Sequence, residues 1–271
     1  MNPETRTNWT TSLFTSDTWH PAPTPGNAGE AGGYFMVNDR TAQVAWMKPK
    51  RVDLNHAHAA KEKIAFDLSI LCDINVPPVV LYHRENPPPG ESPLACLSLV
   101  CYPKLYMWGD VFTLSSSNGG LLPHSQSSVE QALAAVSGTV AFDAWLGNDD
   151  RNNGNNALLG YETAGINPTG LGEFLFIDFS NTMTWSEPQA AFARLNVPPL
   201  FANALNQTRI KETITKIAAI DDAKIESIVN RIPDNYLQPT QKTRISAGLI
   251  SRKARLLNDF SIWYPGTAPS V

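Results

Sequence analysis

Phe142-Asp143-Ala144-Trp145-Leu146-Gly147-Asn148-Asp149-Asp150-Arg151-Asn152-Asn153-Gly154-Asn155-Asn156 is the stretch on which the reading of this chain turns. An apolar run stops at Gly147, and a cluster of carboxylates and amides follows at once. After a Gly- and Pro-containing excursion comes Phe174-Leu175-Phe176-Ile177-Asp178-Phe179-Ser180, an apolar strand that delivers one Asp at its end. A helix, a polar loop and a strand ending in a carboxylate are thus the unit around which the other segments are placed.

Upstream, residues 1–33 are rich in Thr, Ser, Pro and Gly and end in Gly26-Asn27-Ala28-Gly29-Glu30-Ala31-Gly32-Gly33. Such a segment packs little core of its own, so we expect it to be flexible and extended or loop-like, with Trp9, Phe14 and Trp19 pinning it to the body. Residues 34–37 and 43–48 read as a β-hairpin around Asn38-Asp39, halted by Pro49. Ile64, Leu68 and Leu71 recur at helical spacing within residues 54–73. Two further strands are expected at 79–82 and 95–102, the second stopped by Pro103. Together they make a mostly antiparallel sheet with one helix.

Downstream of Pro103 the pattern is mainly helical. Ser127-Ser128-Val129-Glu130 is a capping-box pattern that opens a helix running to Trp145. Helices are expected again from Ser186, over 207–220, over 221–231 and over 238–260. The expected class is α+β in two lobes: an N-terminal segment 1–33, a small sheet lobe 34–103, a larger helical lobe 104–264 and a tail 265–271. A cleft between the lobes would hinge near Pro103.

Composition narrows the function classes. Of 271 residues, 42% are hydrophobic and 17% charged, which is ordinary for a soluble globular protein. A formal net charge of -4 gives no broad basic field, so no direct nucleic-acid partner is expected. Cys72, Cys96 and Cys101 form no C-x-x-C pair, which argues against a disulfide framework or a cysteine zinc site and suits a reducing compartment. No apolar run reaches the ~20 residues of a membrane span and the N-terminus lacks a signal-peptide layout, so the expectation is a cytoplasmic protein.

The charged residues then fit one chemistry. Phosphoryl transfer asks a protein mainly for positioning and charge neutralisation. Lys48, ending the second hairpin strand, is the candidate for holding phosphates, with Glu62 on the following helix as its partner; Lys50 and Asp67 are the alternative pair. Asp150 and Asn155 stand five positions apart, which lets the Asp face a substrate hydroxyl while the Asn turns to a metal. Asp178 is the direct magnesium ligand of that scheme. Asp149 competes as base, but five residues beyond it lies Gly154, which has no side chain to ligate with.

Other readings of the same residues are weaker. As an EF-hand loop with Gly154 at its sixth position, the chain would offer Arg151 and Gly160 where oxygen ligands belong. A plain Asn-rich turn accounts for the loop but not for the Asp178 strand behind it. His56 and His58 are two apart on a helix and do not face each other, so they do not form a metal pair. Gly26 to Gly33 lacks the Walker lysine pattern and a clean G-x-G-x-x-G.

With these residues laid out, the chain resembles the HipA-like kinases, a branch of the protein-kinase-like fold related to the phosphatidylinositol 3/4-kinases. The resemblance rests on Ala45-Trp46-Met47-Lys48-Pro49-Lys50, on Glu62 and the helix running into Val76-Pro77-Pro78-Val79-Val80-Leu81, on Asn148-Asp149-Asp150-Arg151 with Asn155, and on Phe176-Ile177-Asp178-Phe179; residues 228–234 add to it. It implies an ATP- and Mg2+-dependent Ser/Thr protein kinase with Asp150 as base, Asn155 and Asp178 on the metal and Lys48 on the phosphates. The same resemblance puts Gly32, Gly33, Cys101 and Tyr102 at the nucleotide. It further implies a protein substrate and, for toxin members of the family, an antitoxin or regulatory partner. Two departures stand out: Asn152 where many relatives have His, and Ser180 where a glycine would follow Asp-Phe. The rival readings are a lipid kinase, opposed by the lack of a basic membrane-facing cluster, and a nucleotide-binding scaffold that never turns over.

Overall fold

The structure, a computed structural model, describes residues 8–23, 33–50, 57–87, 89, 91–108, 126–153, 155–162, 172–184, 191–192, 197 and 199–264. Its first layer is a five-stranded antiparallel sheet in the order β1-β2-β3-β5-β4, built from Trp19–Pro21 (β1), Tyr34–Asn38 (β2), Val44–Pro49 (β3), Val79–His83 (β4) and Leu94–Leu99 (β5). Period-two alternation sorts its faces. Met36, Ala45, Met47, Val80, Ala95 and Leu97 bury one side with Trp19. On the ladder Lys48 pairs with Cys96, and Cys96 with Leu81, so all three side chains share the opposite face.

That opposite face carries helix α1, His58–Cys72. Thirteen of its residues are buried, including Lys61, Glu62, Lys63 and Asp67, because the sheet covers one side and the helices of the larger lobe cover the other. A helix buried all round has no solvated stripe to hold its charges, and Glu62, Lys63 and Asp67 each find a partner inside. The core is correspondingly continuous from α1 into the second lobe.

The larger lobe contains α2 (Gln126–Ala135), α3 (Gly138–Leu146), α4 (Pro199–Asn203), α5 (Gln207–Ala218), α6 (Asp222–Asn230) and α7 (Pro239–Trp263), with a three-stranded antiparallel sheet β6-β7-β8 of Lys104–Met107, Ala157–Tyr161 and Glu173–Phe176. Local signals start the helices where the sequence places them: Asn206 accepts from the Arg209 N–H, Asp221 from the Ala223 N–H, and Gln238 with Gln241 closes a capping box before Pro239. Among the described residues no helix is long and apolar enough to cross a membrane.

Several expectations change. The single helix from Ser127 to Trp145 is two: Ser137 donates its hydroxyl to the Leu133 carbonyl and accepts the Asn206 N–H, and the chain restarts at Gly138. The first of these begins at Gln126, so Ser127 lies inside it rather than capping it. The strand expected over 95–102 ends at Leu99, and β6 and β7 were not anticipated. The N-terminal segment supplies β1, with the Trp19 side chain buried and Trp9 edge-on against it. The expected helix start at Leu54 and the helix from Ser186 lie outside the described residues.

Candidate functional site

The loop that follows α3 begins because α3 ends in a left-handed residue. Gly147 has φ 70° and returns its N–H to the carbonyls of Ala144 and Asp143. The helix end is fixed from behind by Arg252 on α7, whose guanidinium donates to the carbonyls of Ala144 (2.6 Å) and Trp145 (3.1 Å). Everything after Gly147 is therefore launched from a rigid platform.

Beneath the loop lies a buried ion pair. Arg151 is fully buried, and it meets Asp143 through Nε to Oδ2 (2.8 Å) and Nη2 to Oδ1 (2.9 Å), the two-pronged geometry of a guanidinium on a carboxylate. Its Nη1 donates to the Ile177 carbonyl (3.0 Å) and to that of Asn156. Phe176 and Phe179 flank the guanidinium, with centroids 5.3 and 5.2 Å away. Asn148 also donates to Asp143 (2.8 Å), and its own oxygen accepts the Asp150 N–H (3.2 Å). One buried carboxylate thus organises both the polar loop and the end of the Asp178 strand.

On this support the predicted residues are arranged as follows. Lys48 Nζ lies 2.6 Å from Glu62 Oε1 and 3.0 Å from Asp178 Oδ1, so the strand lysine, the helix carboxylate and the strand-end Asp meet at one point. Burial alone would lower the Lys48 pKa, but the carboxylates of Glu62 and Asp178 outweigh it and hold the ammonium above its ordinary value. Burial pushes the Glu62 carboxyl up against the opposing pull of Lys48. Glu62 Oε1 also accepts the Phe179 N–H (3.1 Å), which fixes the residue after Asp178 to α1.

Asp178 itself has φ 63°, a left-handed conformation uncommon outside glycine and a mark of local strain. Its Oδ1 accepts from Lys48 and from the Ser180 hydroxyl (2.6 Å). Burial pushes its carboxyl up, yet Lys48, the Ser180 hydrogen bond and nearby Arg151 prevail and hold it at about 2. Ser180, noted in the sequence only as a lost glycine, is here a hydrogen-bonding support for the carboxylate.

Asp150 is half-buried, and both its carbonyl (2.8 Å) and Oδ2 (2.9 Å) accept from the Asn156 amide. Asp149 and Asn155 are exposed, and the Asn155 N–H donates to Asn153 Oδ1 (3.1 Å). Gly33 packs so closely on β3 that a Cβ there would stand 2.6 Å from the Met47 carbonyl oxygen; Gly32 lies outside the described residues. Cys101 and Tyr102 follow β5 at the junction of the lobes, but the Tyr102 side chain turns away to donate to Glu173 and to cover Gly160. The alternative pair is not brought together: Lys50 donates to the Asn235 carbonyl (2.8 Å), while Asp67 engages Lys63 (3.0 Å) and Arg231 (2.6 Å).

Sequence reasoning missed Asp143, Arg151 as its partner, Asn156 and the role of Ser180. A carboxylate inside an otherwise apolar helix was the available signal for Asp143, because a charge buried on such a face requires a partner.

The sequence matches no family model, and no curated protein matches it. Among solved structures it is similar to the crystal structure of a Helicobacter pylori proinflammatory kinase, CtkA, at 14% identity and a TM-score of 0.63, over 91% of this chain and 95% of that one. A likeness of that extent carries the architecture and not the family: the chain has the two-lobed kinase-like α+β fold.

Proposed function

We propose that this chain is an ATP- and Mg2+-dependent phosphotransferase of the HipA-like kind that phosphorylates a serine or threonine hydroxyl of a cytoplasmic protein. The observation that carries the reading is the three-way meeting of Lys48, Glu62 and Asp178 beside the Asp150 loop. An ammonium held in place by a buried helix carboxylate is suited to the α- and β-phosphates, and neutralises their charge without moving. Glu62 keeps Lys48 aimed; Ser180 and Lys48 keep Asp178 aimed.

The donors suit magnesium. Asp178 and the amides of the Asn155-Asn156 pair are hard oxygen donors, and no group of three or more His, Cys, Asp or Glu among the described residues forms a self-sufficient metal cage. Magnesium bound partly through substrate phosphates asks for such a sparse set. When bound, it would neutralise charge on the transferred group.

Asp150 has the role of base. The Asn156 amide donates once to the Asp150 carbonyl and once to Oδ2; the second bond fixes the carboxylate and leaves Oδ1 to accept the proton of the incoming hydroxyl. The test is purified protein with γ-labelled ATP and magnesium, comparing wild type with Asp150→Asn for label on itself and on lysate proteins. Protein label that falls by orders of magnitude in the variant is the expected result. Label on lipid, or ATP binding with no label at all, overturns it.

A further inference from the structure

Asn155 and Asn156 are adjacent amides with different surroundings, and only one of them is built into the site. Asn156 is 2% exposed. Its orientation is fixed without ambiguity: the atom facing the Asp150 carbonyl at 2.8 Å and Asp150 Oδ2 at 2.9 Å must be the NH2 group, since both partners are acceptors. Its Oδ1 therefore points the other way, and among the described residues it accepts no hydrogen bond. Nor does that oxygen belong with the fully enclosed orphan atoms, so it keeps some exposure.

The backbone places Asn156 beside the strand that leads to Asp178. The ladder pairs Ala157 with Phe176, and one step further the Ile177 N–H donates to the Asn156 carbonyl (3.2 Å), which also receives Arg151. Asn156 is thus fastened to the residue immediately before Asp178. Asn155, by contrast, has an exposed side chain and a single described tie, from its N–H to Asn153.

We infer that the amide ligand of the cation site is Asn156, not the Asn155 expected from the five-residue spacing, and that one side chain both fixes the base and faces the metal. This rests on the phosphotransferase reading and deepens it. The consequence is a coupling absent from a site with separate residues: a cation drawn to Oδ1 polarises the same amide whose NH2 group holds Asp150, so metal and base are aligned by a single planar group.

The test is Mn2+ affinity, read by electron paramagnetic resonance in the presence of a non-hydrolysable ATP analogue, for wild type, Asn155→Ala, Asn156→Ala and Asp178→Ala. Asn156→Ala should weaken Mn2+ by about tenfold or more, with Asn155→Ala within about twofold of wild type. Weakening by Asn155→Ala with Asn156→Ala unaffected overturns the inference. If both retain affinity while Asp178→Ala loses it, the inference fails and the phosphotransferase reading survives; if all three retain it, both fail. Should Asn156→Ala not fold, Asn156→Asp, which keeps an oxygen and adds charge, is to be compared with Asn155→Asp. Tighter Mn2+ binding in the first alone supports the assignment, and in the second alone overturns it.

Discussion

Lys48 Nζ stands 3.0 Å from Asp178 Oδ1 although 130 positions separate them in the chain. The two residues come from different lobes, β3 of the sheet and the turn after β8, so the contact measures whether the lobes are closed on each other. Glu62, from α1, closes the triangle at 2.6 Å.

Replacing Lys48 by Met is expected to damage both binding and stability. The buried Glu62 carboxylate would lose its cation, and removing one partner of a buried pair typically costs about 3–5 kcal/mol. ATP affinity measured by calorimetry should fall together with the urea midpoint. The double variant Lys48→Met/Glu62→Gln should recover stability without recovering ATP binding; recovery of neither would mean the pair is not the source of the loss.

Acid should expose the Asp178 contact. Its carboxyl is held at about 2 in the folded chain against an ordinary value of 3.8, so the unfolded chain binds the extra proton between these values. The stabilisation is fully present above pH 3.8 and is lost as pH falls toward 2. Because the side chain is partly exposed, the effect is modest, and it is best read as the difference between wild type and Asp178→Asn in acid denaturation. Identical acid limbs would contradict it.

Lys61 has the opposite sign. It is 6% exposed on α1, and burial, aided by the Arg244 guanidinium, pushes its ammonium down to about 8 from 10.5. Between those values the unfolded chain keeps a proton that the folded chain has shed, so stability rises with pH across that window. Burial lowers Lys63 to about 8 as well, outweighing Asp67, and adds to the slope. Lys61→Met should stabilise the protein at neutral pH by roughly 1–3 kcal/mol and flatten the alkaline rise, as followed by thermal melts at several pH values.

How far the sequence disclosed this arrangement depended on whether a residue type alone implied its surroundings. That Lys48, Glu62 and Asp178 would meet could be read because a strand lysine, a helix carboxylate and a strand-end Asp follow one another in that order along the chain. Asp143 could not, since a single carboxylate in an apolar helix does not name the Arg151 that answers it eight positions later. Nor did spacing separate Asn155 from Asn156: the difference lies in which amide the ladder fastens to Ile177. Strands β6 and β7 escaped because a four-residue run and a five-residue run interrupted by Gly160 are too short to declare a period, and β1 because it exists only by pairing with β2. Those elements are set by tertiary partners rather than local propensity.

Arg151→Lys keeps the charge and loses the fork. One ammonium cannot reach both oxygens of Asp143 together with the carbonyls of Ile177 and Asn156, so four described acceptor atoms compete for it. Destabilisation of about 1–3 kcal/mol is expected for each buried acceptor left without a donor. Urea unfolding checks it, with the midpoint falling and the slope unchanged. Asp143→Leu/Arg151→Met should be milder than Arg151→Met alone if the cost of losing the guanidinium lies in unmatched charge, and equal or worse if it lies in the carbonyls left behind.

The N-terminal segment is tied to the helix that carries Glu62. Lys63, next to Glu62, donates to the Trp9 carbonyl (2.9 Å); Arg231 donates to the Thr10 carbonyl (3.2 Å) and to Asp67; the Leu81 N–H donates to the Leu13 carbonyl (2.8 Å). Phe14 bridges to Leu81 and packs edge-on against Tyr236. A fully buried Lys63 has no water to replace the Trp9 carbonyl, so deleting residues 1–16 should cost about 1–3 kcal/mol at that donor alone. The loss falls on α1, where amide hydrogen exchange should quicken over residues 58–67 before it does in α7. Glu62 would then leave Lys48 more often, and ATP affinity should drop although no nucleotide contact has been removed. If exchange in α1 is unchanged by the deletion, the segment merely covers the sheet, and the position of Glu62 is set by the larger lobe through α5 and α6.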